Sequence, residues 1–308
     1  MCGLFGWFTS LLQKLFKMAM SMGSFATRVV ATIVVALDGS GDTTDIQTGI
    51  DLLPATGGSV YIREGTYTIT ARINLNKPNV SIIGAGRSTI IQTIDDITLI
   101  RIAAADLADG CIVDKIYLKG SDLINQVGIF IETDDCFVTD CWIDDMNIGI
   151  QIENGDDCII LNNRVSSCED AGIGALGAVG QTRLIINTNA VDNCESGIRL
   201  NNVTDSIVVG NISRNNDYYG IEIGDDCSEI VINGNTCIDN DDNGIALFDD
   251  VNNCTFTGNI SANNGSYGVR VWDATCNKNI ISSNVLTGNT SGGLRNNGTN
   301  TQIGHNVT

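Results

Sequence analysis

Apolar and polar positions alternate in short bursts through the last two-thirds of this chain, and the bursts return on a fixed period. Four-residue runs opening on glycine recur at Gly128-Ile129-Phe130-Ile131, Gly149-Ile150-Gln151-Ile152, Gly172-Ile173-Gly174-Ala175 and Gly197-Ile198-Arg199-Leu200. They continue at Gly220-Ile221-Glu222-Ile223, Gly244-Ile245-Ala246-Leu247, Gly268-Val269-Arg270-Val271 and Gly293-Leu294-Arg295-Asn296, with glycines 21 to 25 residues apart. A second apolar series lies between them, at residues 136–138, 158–161, 184–186, 207–209, 230–232, 255–257 and 280–281. An asparagine column follows in phase: Asn163, Asn189, Asn211, Asn235, Asn259, Asn284 and Asn306. A third apolar position comes after most of these, at Val165, Val191, Ile212, Val285 and Val307. Alternation of period two with β-branched residues predicts short strands. Self-similarity near 24 residues predicts a repeat architecture.

Two or three short strands cannot bury a core alone, but they can when stacked on the next copy. The pattern therefore predicts an all-β parallel solenoid of ~24 residues per coil. Each strand pairs with its equivalent one coil away, at about 4.8 Å, and the fold is held by neighbour contacts. Glycine is expected to relieve the backbone at corners. Asparagine tolerates left-handed corners, and its amides can bond one another up the stack. Only two prolines occur in 308 residues, as expected where most backbone N–H groups serve a ladder.

Before the repeats, residues 29–37 read as an apolar strand. Asp42 or Thr44 is placed to N-cap a short amphipathic helix through Ile46, Ile50 and Leu53, ended by Pro54 and Gly57-Gly58. Such a helix is expected to cap the N-terminal end of the solenoid core. The run Asp38-Gly39-Ser40-Gly41-Asp42-Thr43-Thr44-Asp45-Ile46-Gln47, then Gly57-Gly58-Ser59-Val60-Tyr61-Ile62 and Glu64-Gly65-Thr66-Tyr67, resembles the start of β-helix domains in carbohydrate-active enzymes and phage tailspikes. With the repeats, it makes residues 28–308 similar to the right-handed parallel β-helix superfamily typified by pectate lyases. That resemblance implies the fold and leaves the activity open.

Residues 1–24 differ in kind. Leu4, Phe8, Leu11, Leu15, Met18 and Met22 fall at 4-3-4-3-4 spacing, a heptad seam on an amphipathic helix. A cleaved signal peptide and a membrane-surface helix are alternatives. The signal reading is weakened by the late Lys14 and Lys17. The favoured reading is an oligomerisation or anchoring arm, with three-fold bundling suited to a solenoid standing on its base. The expected division is thus 1–24 arm, 25–58 entry strand and capping helix, and 59–308 β-helix.

A net charge of −19 argues against nucleic acid, which requires a basic stripe. Aromatic residues are 6% of the chain, so composition offers no sugar-stacking groove. Eleven cysteines lack a C-x-x-C pair, and several sit at like places on different coils, favouring buried free thiols over disulfides or zinc.

Candidate chemistry is sparse. Asp156-Asp157 and Asp225-Asp226, like Asp134-Asp135 and Asp249-Asp250, occupy the turn after a Gly-Ile strand. Carboxylates there could serve acid/base hydrolysis or weak Ca²⁺ binding, but Asp in turns bonds its own backbone, and that reading is favoured. No other metal is expected. Arg199, Arg270 and Arg295 share one slot after the glycine and should point outward, either to contact an anionic glycan or, as favoured, as a solvated face. The histidine motif of polygalacturonase-like members is missing, and the lone His305 lies in Gly304-His305-Asn306. The resemblance and the arm together imply a structural virion-surface protein (spike, turret, fibre or decoration subunit). It would be homo-oligomeric, trimeric by expectation, and joined to other virion proteins through the arm, with host carbohydrate as a further partner. A polysaccharide lyase or hydrolase, such as a tailspike depolymerase, is the alternative.

Overall fold

The computed structural model describes residues 32–103 and 108–308. The heptad residues Leu4, Phe8, Leu11, Leu15, Met18 and Met22 lie outside the described residues. What is described is a parallel β-solenoid of about 11 turns with about 24 residues per coil. One sheet has 12 strands, from Thr32–Val35 and Gly58–Ile62 through Ile159–Leu161, Ile207–Val209 and Thr255–Thr257 to Gln302–Ile303. Each strand pairs in parallel with the next in line, and the chain between paired neighbours crosses over through the strands of the second sheet. Its inward column runs Val60, Ile82, Val113, Val138, Ile160, Ile186, Val208, Ile232, Phe256, Ile281, all buried. Burial on this scale is the chief favourable term in folding.

The corners on either side of this sheet hold left-handed backbone. Before the strands it occurs at Asp135, Asp157, Arg183, Asp205, Glu229, Asn253 and Lys278, and after them at Asp140, Asn162, Thr188, Gly210, Gly234, Gly258 and Ser283. Most of these are not glycine, and each such residue carries a cost of about 1–2 kcal/mol that the stacked ladder must offset. Directly after the second corner, the predicted asparagine column is fully engaged. From Asn163 to Asn306, each Asn donates its backbone N–H and its Nδ2 to the Oδ1 of the next Asn, at 2.9–3.0 Å. A second amide ladder, outside the predicted column, climbs through Asn216, Asn240, Asn264 and Asn289.

The recurrent glycines are not corner residues. From Gly128 to Gly268 the seven lie in or beside the Gly-Ile strands without positive φ. A Cβ on Gly128 would stand 2.5 Å from the carbonyl oxygen of Gly149, and one on Gly220 would stand 2.6 Å from that of Gly244. The same conflict repeats up the column. Corner relief is what Gly210, Gly234 and Gly258 provide, with positive φ, whereas in the recurrent column glycine is required because successive coils touch there, backbone to backbone. Buried hydroxyls complete the contact, with Ser213 Oγ donating to the Gly220 carbonyl and Ser261 Oγ to that of Gly268.

The third apolar position splits. Val165 and Val191 are buried, but Ile212, Val285 and Val307 are 44%, 38% and 61% exposed. Val191 pairs with Ser213, not Ile212, so the inward residue lies two after each Asn and the outward residue one after. A one-residue change of phase turns a side chain to the opposite face.

Near the entry, a helix spans Ile46–Asp51. Its N-cap is Asp45, whose carboxylate accepts from the Thr48 N–H, and not Asp42 or Thr44. Asp42 instead accepts from the Val34 N–H. Ile46, Ile50 and Leu53 are buried, and Lys77 Nζ donates to the carbonyls of Ile50, Asp51 and Leu53 at the helix C-terminus.

The ten described cysteines are all buried and unbridged. Cys168 pairs in register with Cys194. Hydrogen bonding between the two thiols and burial push the Cys168 thiol well above its ordinary range.

Candidate functional site

The Gly-Ile strands present their alternate residues outward, and successive coils stack those residues in columns. One column reads Arg199, Glu222, Ala246, Arg270, Arg295. Two flanking slots carry the aromatics. Tyr219 and Tyr267 stand just before the recurrent glycines, and Phe248 and Trp272 just after the strands Ile245–Leu247 and Tyr267–Val271. The register thus gathers Tyr218, Tyr219, Phe248, Tyr267 and Trp272 onto one lateral face.

The rings are in contact. Tyr219 meets Phe248 edge-on at 5.4 Å between centroids, and Phe248 stacks on Trp272 at 5.6 Å with 18° between planes. Tyr218 lies 6.0 Å from Tyr219. Such spacings are those of attractive aromatic pairs. The Arg270 guanidinium lies over the Trp272 ring, its Cζ 2.9 Å from the centroid. Arg270 and Arg295 also sit 5.8 and 5.9 Å from the Tyr267 ring, within cation–π range. Sequence composition concealed this shelf, because a chain-wide 6% says nothing of local concentration. The signal was positional: Phe248 and Trp272 are 24 residues apart, and Tyr219 and Tyr267 are 48 apart, both whole numbers of coils.

The lower end of the column is a closed ion network. Arg199 Nε donates to Glu222 Oε2 at 2.8 Å, its Nη1 to Asp170 and its Nη2 to Glu195 at 3.3 Å. Ser196 Oγ donates to the same Glu222 oxygen at 2.7 Å. Burial works against the Arg199 charge, yet the carboxylates of Glu222 and Asp170 hold its pKa above the usual arginine range. The favoured expectation of a solvated arginine face is corrected here, since the Arg199 side chain is only 17% exposed. Tyr219, partly buried and facing Asp242 and Glu222, has its hydroxyl pushed up to about 12, burial being the main cause.

The upper end is open. Arg295 is exposed, and among the described residues neither Arg270 nor Arg295 forms an ion pair. Arg270 Nε and Trp272 Nε1 are buried donors with no acceptor. An unmade bond at such a group costs about 1–3 kcal/mol.

The aspartate pairs sit elsewhere, and Asp134, Asp156 and Asp157 are engaged by backbone N–H groups or Arg183. Asp134 Oδ1 accepts from the Asp156 N–H, and Asp156 Oδ1 from the Thr182 N–H, both at 2.8 Å. Arg183 binds Asp156 and Asp157, at 3.2 and 2.8 Å from its Nη2. Asp157, Asp225 and Asp226 have positive φ, as turn residues do, and the last two are exposed. Among the described residues no three His, Cys, Asp or Glu side chains converge as metal ligands. His305 is exposed at the last coil.

A family profile described as "right handed beta helix region" matches residues 79–230 and 175–308. "Probable pectinesterase 56" of Arabidopsis thaliana is 30% identical over 129 residues, which is 37% of this chain and 44% of that protein. Among solved structures, ORF18 of Geobacillus virus E2 superposes with a TM-score of 0.71 at 16% identity, over 89% of this chain and 60% of that one. The Dettilon tailspike protein superposes with a TM-score of 0.66 at 15% identity, over 82% of this chain and 54% of that one. The chain thus spans less than two thirds of the length of each of these proteins. At such identities the superpositions speak for the fold.

Proposed function

This chain belongs to the right-handed β-helix family, and from that premise we propose that it is a tailspike-like virion-surface protein that contacts host glycans on its aromatic and arginine shelf. The observation that carries the glycan reading is the continuous Tyr219–Phe248–Trp272 ring contact on an outward face, topped by Arg270. Flat apolar rings beside directional donors match the two faces of a saccharide: C–H patches pack on rings, and hydroxyls take hydrogen bonds. The likeness in fold to a viral protein and a tailspike supports the virion setting. In this reading residues 1–24 form the oligomerising, particle-docking arm, trimeric by its seam. The helix Ile46–Asp51 caps the solenoid, and residues 59–308 form the projecting shaft.

A second reading, a carbohydrate-active enzyme, draws on the partial match to a pectinesterase. One experiment addresses both. The purified protein is titrated with oligosaccharides released from bacterial surface polysaccharides, following binding by calorimetry and cleavage by new reducing ends or unsaturated products. The glycan-contact reading expects binding that weakens at least tenfold in Trp272→Ala, with no product. Binding indifferent to both Trp272→Ala and Tyr219→Ala would refute the shelf as the site. Steady product formation would replace the binding reading with the enzymatic one.

A further inference from the structure

We propose that the shelf selects an acidic saccharide, one bearing a carboxylate, sulfate or phosphate, and that the Arg270–Arg295 pair takes the anionic group. The inference rests on the glycan-contact reading and goes further by naming the ligand's charge.

The outward column divides at Ala246. Below it, Arg199 and Glu222 neutralise each other, with Asp170 and Glu195 also on the guanidinium. Ala246 carries no charge and is fully buried. Above it, Arg270 and Arg295 face out from adjacent coils in direct register. Their backbones are about 4.8 Å apart along the axis, so two like charges are held close together. The chain has 36 acidic residues against 17 lysines and arginines, so carboxylate partners are abundant. Arg183 and Arg214 have found them across neighbouring coils. Arg270 and Arg295 instead share the face of Tyr267, which moderates their repulsion without cancelling it. Glu222, the carboxylate in the same outward column, is engaged with Arg199 and Ser196.

Two orphan donors point to the same conclusion. Arg270 Nε and Trp272 Nε1 are buried without acceptors, side by side, where the guanidinium covers the indole. A buried polar group without a partner calls for an explanation. An anionic oxygen reaching the half-buried guanidinium would give Arg270 the charge-assisted bond it lacks, and guanidinium geometry suits carboxylate, sulfate and phosphate alike. A saccharide ring beside that anion would lie on the Phe248–Trp272 rings.

The test compares length-matched oligosaccharides against the full-length protein: a neutral glucan, an oligogalacturonate, a sulfated glucan and a phosphorylated glucan. Polyglutamate serves as a sugar-free polyanion. At least one acidic probe should bind tenfold or more tighter than the neutral one, and the preference should narrow as salt rises. The ratio should fall to about one in the Arg270→Gln/Arg295→Gln double variant, whose fold is checked by circular dichroism. The three acidic arms identify which anion is taken. Neutral binding equal to or tighter than acidic, with Trp272 required, would overturn this inference and leave the glycan reading standing. Binding of polyglutamate as tight as that of the acidic sugars, or an acidic preference that survives in the double variant, would also overturn it. No binding by any sugar would overturn both.

Discussion

Replacing Asn235 with alanine perturbs the longer amide ladder at its middle. Asn235 is fully buried, its Nδ2 donates to Asn259 Oδ1 and the Val208 carbonyl, and its Oδ1 accepts from both the backbone N–H and the Nδ2 of Asn211. In Asn235→Ala the Asn211 N–H loses its acceptor and the Val208 carbonyl loses a donor. Each buried orphan costs about 1–3 kcal/mol, and a small void remains, so a loss of about 2–4 kcal/mol is expected. The neighbouring Asn233→Ala is the control. Its Nδ2 bonds only Thr257 Oγ1 at an exposed position, and a change below about 0.5 kcal/mol is expected. Urea unfolding, compared by midpoint at constant slope, measures both. Hydrogen exchange at the Asn211 amide reports the local effect. Asn235→Asp adds a pH signature. The introduced carboxyl is desolvated and faces the Asn259 and Val208 oxygens, so its folded pKa must lie above the unfolded value of about 3.9. Stability relative to wild type should then recover as pH falls through the folded pKa, and decline again as pH rises. If Asn235→Ala and Asn233→Ala unfold within about 0.5 kcal/mol of each other, the ladder is not a source of stability and the reasoning fails.

Two further expectations concern buried titratable groups. With Cys2 replaced by serine, the native protein should label negligibly with a thiol reagent at pH 8, and the ten buried cysteines should all react once it is unfolded in denaturant; rapid native labelling of any of them would contradict the packing described. In an alkaline spectroscopic titration Tyr219 should ionise near pH 12, its folded pKa raised by burial, so the structure should lose stability as pH climbs above the ordinary tyrosine value near 10. The late component should vanish in Tyr219→Phe, and its persistence would assign it elsewhere.

The coil was legible because stacking forces like residues to recur. The Gly-Ile cadence and the column from Asn163 to Asn306 gave the period, the parallel pairing and the amide ladder. The reason for the glycines was not legible. Corner relief and close backbone approach select the same residue, and only the 2.5–2.9 Å clashes between coils separate them. Ile212 and Val285 continue the third apolar series by composition yet are exposed, and the buried residues are Ser213 and Leu286, two after each asparagine. The shelf eluded composition because its rings are scarce, yet the period places Phe248 beside Trp272. The partners of Arg199 were beyond sequence reading, since Asp170 and Glu222 reach it from coils on either side.

The close backbone contact along Gly128 to Gly268 has a wider consequence. It fixes the vertical spacing of these coils from within, so the outward residues need not set it. The lateral surface then behaves as a typeset line: one letter may be exchanged, as alanine stands between glutamate and arginine at Ala246, without disturbing the spacing of the rest. The outward columns can therefore change one residue at a time on a frame that does not move.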